Sequence, residues 1–178
     1  VYISSLGLEA NALLLNYGYA DLDPTIKPLL LLPEEEVHRY SICLYHHMAS
    51  AVDWTGRTAL EVSSGRGGGA WYIMRRFRPA SIVGVDLCAD AVEFCDRYYE
   101  VDGLSFVSGR AERLQFPSRT FDIVINVEAS LYYASMEAFV SEVVRVLKPN
   151  GHFLYADFRY MEEIEQWRLQ LSHPELQL

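Results

Sequence analysis

The chain has 178 residues, 51% of them hydrophobic and 13% aromatic, enough for one globular domain with a sizeable core rather than a disordered chain. Fifteen basic against 24 acidic side chains give a formal net charge of −9, which opposes a phosphate backbone and argues against nucleic acid as a partner. No apolar run approaches a membrane span, and Cys43, Cys88 and Cys95 lack ligand spacing, so reduced thiols in a cytoplasmic protein are expected.

No secretory leader pattern opens the chain, and a start at Val1 rather than methionine leaves a trimmed or incomplete sequence open. Residues 1–53 show no strand alternation and read as a helical cap, a substrate lid over a core formed by residues 54–178. A loop with Asp21, Asp23, Pro24 and Pro28 leads to a helix from Pro33 to about Met48. A proline and three glutamates open that helix, as its positive end prefers, and Val37, Tyr40, Ser41, Leu44 and Met48 line one face.

From Thr58 onward strand and helix patterns alternate. Strands are predicted at Ala59 to Val62, Ser81 to Val85, Leu104 to Val107, Phe121 to Val127 and His152 to Ala156. Helices are predicted at Gly68 to Phe77, Ala89 to Tyr99 and Met136 to Leu147, the last capped by Ser135 and ended by Lys148-Pro149-Asn150-Gly151. A final helix spans Met161 to Leu171. This order predicts an α/β fold, a Rossmann-like, doubly wound parallel sheet with an N-terminal helical cap.

Such sheets bind ligands outside the carboxyl ends of their strands, so the residues just after each strand carry the chemistry. The first strand ends in Glu61-Val62 and breaks into Ser63-Ser64-Gly65-Arg66-Gly67-Gly68-Gly69 before a helix. Glycines there admit a ligand close to the backbone, and the helix start offers unpaired amides. The second strand ends in Gly84-Val85-Asp86, a carboxylate suited to ribose hydroxyls. The third and fourth are followed by Ser108-Gly109-Arg110-Ala111-Glu112 and Asn126-Val127-Glu128-Ala129-Ser130. Gly65, Gly67 and Ala70 also satisfy the dinucleotide pattern, so the turn alone fits NAD as well. Glu61 suits a pyrophosphate poorly and a cationic or hydroxyl-bearing ligand better.

The run Leu60-Glu61-Val62-Ser63-Ser64-Gly65-Arg66-Gly67-Gly68-Gly69, with Gly84-Val85-Asp86, Phe121-Asp122-Ile123-Val124 and Glu142 to Gly151, resembles class I S-adenosylmethionine-dependent methyltransferases. Asn16-Tyr17-Gly18-Tyr19, Asn126 to Ser130 and Tyr155-Ala156-Asp157 are similar to bacterial small-molecule members, including mycobacterial phthiotriol and glycopeptidolipid O-methyltransferases. The resemblance runs from about Asn11 to Trp167. It implies S-adenosyl-L-methionine as cofactor, with Glu61, Ser63, Gly65 and Gly67 around the methionine part and Asp86 on the ribose. Leu87, Ala111 and Glu112 would flank the adenine, Asn126 would approach the methionine end, and Tyr17 or Tyr19 would close the pocket against the sulfonium.

The implied reaction is methyl transfer to a hydroxyl, or an electron-rich carbon, of a hydrophobic small molecule or lipid. Glu128, Asp157 and His46 are the candidate bases. Each has a structural alternative: Glu128 as a helix-capping acid, Asp157 paired with Arg159 or Arg168, and His46 or His47 as an ordinary core or surface histidine. The tyrosines at 132, 133, 155 and 160 are either pocket lining or core and interface residues. Three positions depart from the family pattern. Ser63 replaces the first glycine, Arg110 an aspartate that accepts from the adenine amine, and Leu131 a histidine. Two further strands usual in the family have no counterpart after Met161, so the fifth strand is expected to need covering by residues beyond Leu178, a second copy or a swapped segment. A degenerate, non-catalytic relative is the alternative from another functional class.

Overall fold

The structure, a computed structural model, describes residues 12–177. All five predicted strands form: β1 (Thr58–Val62), β2 (Ser81–Asp86), β3 (Leu104–Ser108), β4 (Phe121–Val127) and β5 (Leu147–Ala156). They pair in parallel in the order β3-β2-β1-β4-β5, with β1 at the centre and β5 at one edge. Helices α1 (Arg39–Ala49), α2 (Gly68–Phe77) and α3 (Ala89–Tyr98) supply the core on one face of the sheet. On the other face α4 (Met136–Val146) packs its buried Phe139, Val140 and Val143, and α5 (Ile164–Leu171) adds Leu171. The part of the expected cap before residue 12, including Asn11, lies outside the described residues.

Strand periodicity decides which β1 residue meets which layer. Ala59 joins the core under α1 to α3, while Leu60 and Val62 join the core under α4. Glu61, on the same side as Ala59, therefore points toward α1 and α2. Because the chain leaves β1 for β2 and β3 on one side and returns as β4 on the other, a crevice opens at the carboxyl ends of β1 and β4.

Three expectations need correction. The first helix begins as a 3-10 segment, Pro33–His38, and becomes α-helical only at Arg39. Of the predicted face Leu44 and Met48 are buried, but the tighter early turns change the angular phase, so Val37 and Tyr40 are 79% and 62% exposed while Ile42, Tyr45 and Ala49 are buried as well. Lys148-Pro149-Asn150-Gly151 does not form a free turn after α4. It bulges within β5, where the partners of Phe121 and Ile123 are Leu147 and His152, and Asn150 takes a positive φ of 64°. Lys148 in that bulge reaches Asp122 of β4 at 2.8 Å. The last helix likewise starts as a 3-10 turn, Met161–Glu163, ahead of α5. Ser135 does cap α4, its hydroxyl accepting from the Ala138 amide at 3.1 Å.

Candidate functional site

The turn after β1 is built from left-handed backbone. Ser63, Gly65 and Gly67 have φ of 59°, 54° and 77°, and Gly67 is the residue from which α2 starts. At Gly67 a side chain is excluded twice over, by the positive φ and by the Phe106 ring, 2.6 Å from where a Cβ would stand. At Gly69 a Cβ would overlap the Tyr45 ring and lie 2.5 Å from Glu61 Oε1.

Glu61 is fully buried beneath this turn. Its carboxylate accepts from the Tyr45 hydroxyl at 2.6 Å and from the Ala70 amide at 2.8 Å, tying β1 to α1 and to the first turn of α2. Burial raises its pKa to about 7, against the two hydrogen bonds, with the Asp86 charge adding to the rise. The resemblance puts Glu61 beside the methionine part of the cofactor; here its two oxygens hold the turn from below.

Asp86 ends β2 and is buried, with one oxygen accepting from the Gly65 amide at 2.7 Å and the other from the Cys88 amide at 2.8 Å. Each oxygen keeps a further lone pair for a ligand. Leu87 beside it is 66% exposed. On the β3 side, Ala111 is buried and the Glu112 carboxylate accepts from the Ala134 amide at 2.8 Å. Arg110 stands 3.8 Å from Glu112 with its side chain more than half exposed.

Across the crevice Asn126 ends β4 opposite Val62 and is fully buried. Its Nδ2 donates to the Val62 carbonyl at 2.9 Å and to the Tyr133 hydroxyl at 2.6 Å, and that hydroxyl meets Ser63 Oγ at 2.7 Å. Asn126 Oδ1, Ser64 Oγ and Asn16 Oδ1 are buried without a hydrogen-bond partner. Buried unpaired polar atoms are costly; Ser64 Oγ lies in the glycine turn and Asn126 Oδ1 beside it at the end of β4, while Asn16 is held against Ser41 of α1.

Residues 13–17 cross the turn. The Gly68 amide donates to the Leu13 carbonyl at 3.2 Å, Leu15 lies against Gly65, and the Tyr17 amide donates to Glu128 at 2.6 Å. Tyr17 is thereby brought to the rim, its ring edge-on to Phe158 at 5.1 Å. Tyr19 is not; it stacks on His47 at 4.3 Å and bonds Asp21.

The three candidate bases separate. Glu128 stands at the rim just after β4 with a φ of 48°, half-buried, its pKa raised by burial and by Asp157 against the Tyr17 hydrogen bond. The Asp157 side chain is buried and committed: it accepts from the Ser130 amide and hydroxyl at 2.9 and 2.6 Å and pairs with Arg159 at 3.1 Å. His46 has its partners on α2. Its ring meets the Tyr72 hydroxyl at 2.8 Å and packs on Phe77, the last residue of α2, and burial lowers its pKa. Tyr45 is a contributor that the sequence assigns no role at the turn, and Tyr133 one that it names only among four tyrosines as pocket lining or core. Taking the helical phase from Arg39 rather than Pro33 would have turned Tyr45 inward; no local pattern marks Tyr133.

A cleft of about 470 Å³ opens beside this rim, with Ser130, Tyr133, Arg159 and Trp167 among its walls. Another, of about 350 Å³ between Leu30–Leu32 and Arg75 and Arg76, lies on the outer side of α2 away from the turn. Among the described residues no helix is long and apolar enough to cross a membrane, and no cluster of histidine, cysteine and acidic side chains fits a metal ion.

The model of a methyltransferase domain family matches residues 60–155, the span from β1 to β5. Over 170 residues the chain is 45% identical to the fatty-acid O-methyltransferase of Mycolicibacterium smegmatis, covering 96% of this chain and 61% of that protein. It is 41% identical over 163 residues to a phthiotriol/phenolphthiotriol dimycocerosates methyltransferase of Mycobacterium leprae, covering 92% of this chain and 60% of that one. The chain thus spans about 60% of the length of these curated relatives. Among solved structures, the YcgJ protein of Bacillus subtilis superposes with a TM-score of 0.63 at 25% identity, over 70% of this chain and 55% of that one. With the family match covering the whole sheet and the glycine turn, the chain belongs to the methyltransferase domain family.

Proposed function

We propose that this chain carries the S-adenosylmethionine site of an enzyme that methylates an oxygen of a hydrophobic, lipid-like acceptor. The observation that carries the reading is the crevice between β1 and β4, where a glycine turn, the Asp86 carboxylate and the unpaired Asn126 Oδ1 converge. Those groups fit the cofactor: Asp86 for the ribose hydroxyls, Leu87, Ala111 and Glu112 around the adenine, and Ser63, Gly65, Gly67 and Asn126 around the methionine part. Tyr17, at the rim, is the better placed of the two lid tyrosines. When bound, S-adenosylmethionine supplies an electrophilic methyl group on a sulfonium. We also place the protein in a reducing compartment such as the cytoplasm, a setting that its three free cysteines favour.

The chain's own part is to hold the acceptor oxygen in line and exclude water, which draws on proximity and orientation. The named activities of the relatives point to lipids. A fatty acid is ionised at neutral pH, and its carboxylate needs no base. This agrees with a rim where Asp157 is paired, and with a His46 ring engaged by Tyr72 and Phe77. A hydroxyl acceptor would need Glu128, whose raised pKa moves it toward working pH.

Incubation with methyl-labelled cofactor and either hexadecanoic acid or hexadecanol tests this. Label is expected in the methyl ester; Glu128→Gln should leave that transfer within a few fold and lower any transfer to the alcohol by about a hundredfold. Cofactor binding with no transfer to either acceptor would instead favour the non-catalytic reading. Arg110 is the observation that supports that second reading, because a guanidinium offers donors where an adenine amine needs an acceptor.

A further inference from the structure

We propose that Tyr133 is a positioning residue of this site: its hydroxyl fixes Asn126 and Ser63 so that Asn126 Oδ1 receives a hydrogen bond from the α-ammonium of the bound cofactor. The proposal rests on the S-adenosylmethionine reading above. Tyr133 follows the 3-10 turn Ser130–Tyr132, and its ring packs edge-on against Phe139 of α4 at 4.7 Å, so the core holds it in place. Its hydroxyl lies 2.6 Å from Asn126 Nδ2 and 2.7 Å from Ser63 Oγ. That hydroxyl accepts from the amide and shares its other hydrogen bond with the serine, in which either oxygen can donate. Burial pushes its pKa well up, so it keeps its proton at any physiological pH.

The consequence for Asn126 is directional. One Nδ2 hydrogen goes to the Val62 carbonyl and the other to Tyr133, which spends both donors and stops the amide from turning over. Oδ1 is then left buried and unpaired, an acceptor awaiting a donor. The cofactor offers ribose hydroxyls, an adenine amine and the α-ammonium. Asp86 and the β3 rim lie on the β2 side of the turn, so the ammonium is the donor that remains for Asn126 on the β4 side. The same hydroxyl steadies Ser63, a non-glycine residue held at a φ of 59°. One phenol thus joins both walls of the crevice.

Titration calorimetry with the 178-residue chain tests this, using S-adenosylhomocysteine and 5′-methylthioadenosine, which keeps the adenosine and sulfur but lacks the amino acid. Tyr133→Phe keeps the ring and its packing, which a melting curve checks. The variant should bind S-adenosylhomocysteine about tenfold more weakly, the loss typical of one hydrogen bond to a charged group, and bind 5′-methylthioadenosine like the unsubstituted chain. In an Asn126→Ala background Tyr133→Phe should cost clearly less than it does alone, only the part that runs through Ser63 remaining, which decides the point with S-adenosylhomocysteine alone. Unchanged affinity in Tyr133→Phe, equal losses for both ligands, or additive losses in the double variant would overturn the proposal. Failure of the unsubstituted chain to bind either ligand would remove the cofactor reading and this proposal with it.

Discussion

Glu61 shows how one residue links the fold to the site. Its carboxyl pKa rises from 4.5 to about 7 on folding, so between those values the folded state holds more protons than the unfolded one. Stability from this group is therefore highest below about pH 4.5 and falls as pH rises through about 7, by roughly 3 kcal/mol across the window. Glutamine can still accept from Ala70 and donate to Tyr45 without carrying a charge. Melting curves should show Glu61→Gln gaining on the unsubstituted chain by roughly 5–10 °C more at pH 8 than at pH 5. A difference that stays flat with pH would contradict this account. The acid at position 61 is legible in the sequence as part of a binding motif, but its direction is not. That depends on Tyr45 and Ala70, residues 16 positions before it and 9 after it, brought together only by packing.

At the level of elements, strand positions are readable because each is an apolar run bounded by turn residues; β1 to β4 fall within a residue of where the sequence predicts them, while β5 begins five residues earlier, at Leu147. Helix phase is less readable. Pro33 and three glutamates mark a helix start correctly, yet six residues of 3-10 geometry intervene before the α-helix, and the buried face shifts accordingly. The bulge at Lys148 to Gly151 is hidden for a related reason: Pro-Asn-Gly signals a turn, and only the pairing of Leu147 with Phe121 makes it part of a strand. The joint between β1, α1 and α2 is the tightest of these elements. Gly69→Ala would force a methyl into the Tyr45 ring and Glu61, an overpacking that costs about 1–3 kcal/mol. Thermal melting should show a loss of roughly 3–10 °C, and an unchanged melting temperature would mean that α1 does not press on the turn as described.

For the whole molecule, the topology does most to locate function. The reversal of strand order at β1 and β4 puts the glycine turn, Asp86 and Asn126 around one crevice, although they are spread over more than 60 residues of sequence. The sequence could list these residues because each directly follows a strand. It could not separate Glu128, bonded to the Tyr17 amide, from His46, engaged by Tyr72 and Phe77 of α2, because those contacts depend on how α1 packs on α2. Nor could it reveal that Asp157 is spent on Ser130 and Arg159. Binding of S-adenosylmethionine in the crevice is the central claim. The most direct measurement is a calorimetric titration of the 178-residue chain with S-adenosylhomocysteine, repeated in the presence of millimolar NAD. Saturable one-to-one binding that NAD leaves unchanged is predicted; no heat at millimolar ligand, or displacement by NAD, would contradict it.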